Sequence, residues 1–218
     1  MTVAEIASRT AQIADAANVP LIVDGGPAAK QRDIIARAVR SLERAGAAAL
    51  RFEDSYLDDL HSDADDVTVL PKGLMVDRIK AAVDVRIDPT LVLIARCDSR
   101  CRESLGQVQE RLAAYVEAGA DAIGVQLSNV EEFRFIGTTA SAPLVSLWPK
   151  LRMTVFEFLQ LGFRIALMPS SVSLAALSAV KEMLLHLKDN GTERDYFNRQ
   201  KDIQEVERWY RDLNIHRE

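Results

Sequence analysis

Short apolar runs alternate with amphipathic stretches along this chain, and that alternation predicts its elements. Val3, Ile6, Ala7, Ala11, Ile13 and Ala14 recur with a helical period over residues 3–18. Pro20-Leu21-Ile22-Val23-Asp24 is a short apolar run ending in an acid, and Gly25-Gly26-Pro27 breaks it. Residues 28–45 read as a helix through Ile34, Ile35, Ala38, Val39 and Leu42, with Gly46 as its stop. The unit then recurs. Strands are expected at Ala47–Phe52, Leu91–Ala95, Asp121–Val125, Pro143–Leu147 and Phe163–Met168. Helices are expected at 71–85, 104–118 (stopped by Gly119), 129–137, 153–161 (stopped by Gly162) and 171–188 (stopped at Asn190-Gly191). Residues 55–70 read as a long polar loop without strands, and 193–213 as a charged, helix-prone tail.

Six short apolar strands alternating with helices predict an α/β fold with a parallel sheet covered by helices. Ligands of such sheets bind beyond the carboxyl ends of the strands. The residues there are Asp24, Glu53 with Asp54, Arg96, Gln126, Trp148 and Pro169. Two acids and an arginine at three neighbouring strand ends suggest a divalent cation and an anionic substrate. Carboxylates ligate a hard ion such as Mg²⁺, and a guanidinium fork matches a carboxylate. The competing reading is that acids after strands cap the helices that follow. Trp148 is a candidate pocket wall, or else a cover for the rim of the core.

Composition narrows the class. Of 218 residues, 48% are hydrophobic and 27% charged, which suits one well-buried globular α/β domain. A formal net charge of -5 offers no general attraction for nucleic acid or an anionic membrane. No apolar run approaches the ~20 residues of a membrane span, and residues 1–10 lack the basic-then-apolar pattern of a signal peptide, so a cytoplasmic protein is expected. Cys97 and Cys101 make no disulfide framework, and no second ligand pair accompanies them for a soft metal. His61, His186 and His216 read as surface residues, and Ser170-Ser171 as a helix N-cap pair. The acids Asp58, Asp59, Asp63, Asp65 and Asp66 lack calcium-loop spacing and read as a solvated loop.

Five segments carry a resemblance. They are Val19 to Asp24, SLERAGAAALRFED from Ser41, KAAVDVRIDPTLVLIAR from Lys80, YVEAGADAI from Tyr115 and LGFRIALMP from Leu161. In that order and spacing the chain resembles the isocitrate lyase / phosphoenolpyruvate mutase superfamily, nearest its oxaloacetate decarboxylase-like and phosphonomutase-like members. The resemblance implies a TIM-type (β/α) barrel enzyme that uses Mg²⁺ to steady an enolate of a small α-keto or 2-hydroxy acid. It implies Asp24 and Glu53 as metal-site carboxylates and Arg96 as the substrate-carboxylate clamp; Trp148, by its strand-end position alone, is the further substrate-binding candidate. It also implies a homo-oligomer that exchanges its C-terminal helix.

Departures from the family pattern are specific. Gly26 stands where a second metal-strand acid is usual, which predicts weak Mg²⁺ binding. No cysteine lies in Leu57–Leu70, Gln126 replaces a usual glutamate, and Met168-Pro169-Ser170 replaces a strand-end histidine. The first two strand–helix units of the barrel are not expected in this chain. Residues 1–190 are expected to form the barrel-like domain and 191–218 a helical tail. The reading is therefore a decarboxylase-like or phosphonomutase-like enzyme rather than a cysteine-loop isocitrate lyase. The alternative is a catalytically degenerate relative serving as a binding or assembly module.

Overall fold

The computed structural model describes residues 2–25, 32–57, 67–147, 153–199 and 203–215. Gly26, His61, the Asp58–Asp66 acids, Trp148 and His216 lie outside the described residues. The chain falls into two compact units, Met1–Leu167 and Met168–Glu218.

The first unit alternates helices and strands in the order α1 (Val3–Ala16), β1 (Ile22–Asp24), α2 (Arg32–Arg44) and β2 (Ala49–Glu53). A ribbon of β3 (Ser55–Leu57) and β4 (Val67–Val69) follows. The series resumes with α3 (Lys72–Val85), β5 (Val92–Cys97), α4 (Leu105–Glu117), β6 (Ala122–Val125), α5 (Val130–Thr139), β7 (Leu144–Leu147), α6 (Val155–Gln160) and β8 (Phe163–Leu167). A 3-10 turn at Ser99–Cys101 separates β5 from α4. Local chemistry explains the helix starts. Thr2 with Glu5, Ser104 with Gln107, and Thr154 with Glu157 form capping boxes on α1, α4 and α6. Each such cap contributes about 1 kcal/mol. The expected stops Gly46, Gly119 and Gly162 take positive φ values of 91°, 104° and 92°, a region that glycine enters without Cβ strain.

The main sheet has six parallel strands in the order β1-β2-β5-β6-β7-β8. Each pairs with the next main-sheet strand in the chain, the singly wound order of a (β/α) barrel wall rather than a doubly wound sheet. The expected α/β, TIM-type architecture is thus found. The two faces of the sheet differ. Leu50, Phe52, Leu93, Ala95, Cys97, Ile123, Val125 and Leu144 pack under the helices with Val39, Leu42, Met75, Ile79, Leu112, Tyr115, Phe133 and Phe158. The opposite face carries a small cluster of Ala49, Ile94, Ala122 and Val145, backed by Val92 and Leu167. Period-2 alternation continues that second face toward the strand ends through Asp24, Arg51, Glu53, Arg96 and Gly124.

Two expectations need correction. Residues 55–70 are not strandless: β3 and β4 pair antiparallel, with Ser55 opposite Val69 and Leu57 opposite Val67. The β-branched Val67-Thr68-Val69 favours extended backbone, but the acidic, polar sequence before it masks that run. Ser170 does sit at the N-cap of the next helix, but its side chain makes no capping hydrogen bond.

The second unit holds α7 (Ser171–Asn190), α8 (Arg194–Arg199) and α9 (Ile203–Ile215). Its own packing centres on Tyr196, which is buried, meets Phe197 edge-on and donates a hydrogen bond to the Ala179 carbonyl at 3.2 Å. No residue of α7 is buried.

Candidate active site

Strand register builds the site. Parallel pairing sets Asp24 opposite Arg51, and Glu53 opposite Arg96, which is in turn opposite Gly124. Side chains at these positions share the face away from the helices, so four charged groups from three strands meet at one sheet end. Arg51 Nε donates to Asp24 Oδ1 at 2.6 Å, and Arg51 Nη2 lies 3.0 Å from Glu53 Oε1. Arg96 Nη1 donates to the same Glu53 oxygen at 2.8 Å, its Nε to Asp98 Oδ1 at 2.8 Å and its Nη2 to Gln126 Oε1 at 2.9 Å. The result is a ladder of alternating charge, Asp24–Arg51–Glu53–Arg96–Asp98. Gly124 makes room for it: a Cβ there would lie 3.1 Å from Arg96 Cβ and 3.4 Å from its Cγ.

Neither arginine is free to swing into solvent, since both side chains are only 13% exposed. Asp24 is the open end, with 65% of its side chain exposed. Burial raises the Glu53 carboxyl above its ordinary range, and the Arg96 guanidinium pulls it back down. Glu53 caps none of the described helices; its carboxylate is held by the two arginines. Asp54 points the other way. It is fully buried, accepts from Asp98 N at 2.7 Å and from Tyr115 Oη at 2.7 Å, and lies 3.6 Å from Arg111 Nη1. Burial pushes its carboxyl up as well. Asp54 is therefore a tie between β2, β5 and α4 and does not reach the open face. Cys97 is buried with its thiol pushed up by burial, so it is no nucleophile, while Cys101 is an exposed free thiol.

The structure thus brings together Asp24, Glu53 and Arg96, three of the four residues singled out in the sequence. The fourth, Trp148, lies outside the described residues. Sequence reasoning missed Arg51 and Asp98. Arg51 carried a signal: a charged residue between Leu50 and Phe52, two before Glu53, must share Glu53's face. Asp98 carried none, because it belongs to an irregular turn.

The donor set decides how well Mg²⁺ fits. A divalent ion of this kind wants several oxygens arranged around one point. Here Asp24 and Glu53 already converge on the Arg51 guanidinium, Asp98 spends both oxygens on Arg96 and Ser55, and position 26 has no side-chain ligand. Among the described residues no group of three or more His, Cys, Asp or Glu could hold a metal ion. As arranged, the described residues do not fit the ion.

The phosphoenolpyruvate phosphomutase family model matches residues 1–188. A 2-methylisocitrate lyase of Aeropyrum pernix is 33% identical over 204 residues, which is 91% of this chain and 66% of that relative. The chain therefore spans just under two thirds of that relative's length. The crystal structure of a 2,3-dimethylmalate lyase superposes with a TM-score of 0.76 at 26% identity, covering 88% of this chain and 69% of that one. An oxaloacetate acetylhydrolase in complex with the inhibitor 3,3-difluorooxalacetate gives 0.76 at 26% identity, over 88% and 68% of the two chains. With its singly wound sheet and a family match running through both units, the chain belongs to the phosphoenolpyruvate mutase/isocitrate lyase superfamily.

Proposed function

We infer that the chain is a lyase-type enzyme acting on a small α-keto or 2-hydroxy carboxylic acid, with oxaloacetate the simplest candidate. The observation that carries this reading is Arg96, a well-buried guanidinium at the carboxyl end of β5, oriented by Glu53, Asp98 and Gln126. A guanidinium held by acceptors on several sides keeps one orientation, and a planar fork is the natural partner of a carboxylate. The relatives named lyases of 2-methylisocitrate and 2,3-dimethylmalate, and the hydrolase of oxaloacetate, have substrates of this class by their names.

In this reading Arg96 binds and orients the substrate carboxylate. For oxaloacetate, the bond to the departing carboxylate breaks, its electron pair moves into the enolate of pyruvate, and carbon dioxide leaves. The enolate then takes up a proton. Positive charge beside the nascent enolate lowers that barrier, and Arg51 and Arg96 are the cations this chain supplies. Glu53 lies against both of them and fixes their spacing. The superfamily resemblance implies enolate stabilisation by Mg²⁺, whereas here Asp24 and Glu53 are bound to Arg51.

A second reading, a non-catalytic binding or assembly module, is favoured by one observation. The five charged side chains satisfy one another, and Nε, Nη1 and Nη2 of Arg96 each already have an acceptor. The purified chain should be assayed by NMR with oxaloacetate, 2-methylisocitrate and 2,3-dimethylmalate, and titrated with oxalate. Turnover that Arg96→Ala lowers at least about a hundredfold supports the enzyme, a loss of the size expected for a charge-assisted bidentate contact. Oxalate binding without turnover supports the module. Unchanged oxalate affinity in Arg96→Ala would show that the clamp assignment is wrong.

A further inference from the structure

We propose that Arg51 is the resident cation of this site, its guanidinium holding Asp24 and Glu53 together so that small carboxylates bind here without a divalent metal. The inference deepens the carboxylate-site reading above and rests on it. Three observations converge.

The first is placement. Arg51 lies on β2 directly opposite Asp24 of β1 and two residues before Glu53, so the pleat aims all three side chains at one spot. The second is engagement. Its Nε bonds Asp24 at 2.6 Å and its Nη2 reaches Glu53 at 3.0 Å, so one cation bridges the two carboxylates that would otherwise repel across the strand pair. The third is what surrounds it. The Arg51 side chain is 13% exposed, a glycine at position 26 has no side chain to ligate a metal, and no group of three or more metal-holding side chains exists among the described residues.

A guanidinium stays protonated at any physiological pH and is covalently attached, so its charge does not depend on the ion content of the solution. A divalent ion entering between Asp24 and Glu53 would have to displace it and break both contacts. The electrostatic work of a metal thus falls to a side chain of the same strand. The two guanidiniums, Arg51 and Arg96, stand on either side of Glu53 and share its Oε1. A small dianion would meet them as a pair.

The test uses the full chain, with oxalate as the ligand and Mn²⁺ as a paramagnetic probe of metal binding. Wild-type protein should bind oxalate with an affinity that changes less than about twofold between EDTA and excess Mg²⁺, and should show no saturable Mn²⁺ signal by electron paramagnetic resonance. Arg51→Gln should lose oxalate binding in EDTA at least about tenfold, recover it with Mg²⁺ and show the saturable Mn²⁺ binding that wild type lacks. Arg51→Lys keeps the charge and should remain metal-independent, which guards against a folding defect in the glutamine variant. Oxalate binding by wild type only in the presence of Mg²⁺ overturns the proposal and leaves the carboxylate site standing. Absence of oxalate binding under both conditions removes the site itself, and the proposal with it.

Discussion

Single residues decide whether the charge ladder keeps its shape, and Gly124 is the least conspicuous of them. Arg96 and Gly124 are register partners on the open face, so the stem of the arginine lies over the glycine. A methyl group at 124 would sit 3.1 to 3.4 Å from Arg96 Cβ, Cα and Cγ, so the arginine stem would have to shift. Gly124→Ala is expected to weaken oxalate binding by about three- to tenfold while costing about 1 kcal/mol in urea unfolding. Affinity equal to wild type would show that the arginine does not depend on that gap. Much of this site was legible beforehand, because Asp24, Glu53 and Arg96 each end an apolar run, where α/β sheets bind ligands. Arg51 was hidden by its position inside a strand, although the alternation Leu50-Arg51-Phe52-Glu53 already puts it beside Glu53. Asp98 could not have been found this way, since a turn has no period to read.

Elements are joined by a buried polar tie as well as by the apolar core. Arg111 of α4 donates from Nε and Nη2 to the two oxygens of Glu103 at 2.7 and 2.6 Å, and from Nη1 to the Leu70 carbonyl at 2.9 Å. One side chain thereby connects α4, the turn after β5 and the segment leading into α3. The hydrogen bonds from Arg111 hold the Glu103 carboxyl below its ordinary value. In the acid range below the unfolded glutamate value of about 4.5, the unfolded chain then binds more protons than the folded one. Stability must fall as pH drops through that window toward the folded value. Glu103→Gln is expected to cost about 1–2 kcal/mol at pH 7 and to flatten this acid dependence, measured by urea titration from neutral to acid pH. An unaltered slope would place the acid sensitivity elsewhere. At this scale the strands and helices of the main sheet were readable, because each strand lies in an apolar run set between helical stripes. The β3–β4 ribbon was not, because its short strands lie in a polar stretch instead of an apolar run.

For the whole molecule the open question is what covers its remaining apolar surface. Val172, Leu174, Leu177, Val180 and Leu184 of α7 are more than half exposed, as are Val206, Trp209 and Tyr210 of α9. Burying a side chain of this kind stabilises by about 1.5–3 kcal/mol, so a surface of this size favours association. We expect a homo-oligomer held partly by the C-terminal helices, and truncation after Asn190 should give monomers or insoluble protein. A clean monomer of the full chain in light scattering at micromolar concentration would rule this out. No described helix is long and apolar enough to cross a membrane. The order of the sheet has one more consequence, for how the chain is made. Each strand of the main sheet pairs with the next one synthesised, and the widest jump, from Glu53 to Arg96, is 43 residues. Every new strand leaving the ribosome therefore finds its partner edge already formed, so the sheet can grow in one direction at the pace of translation.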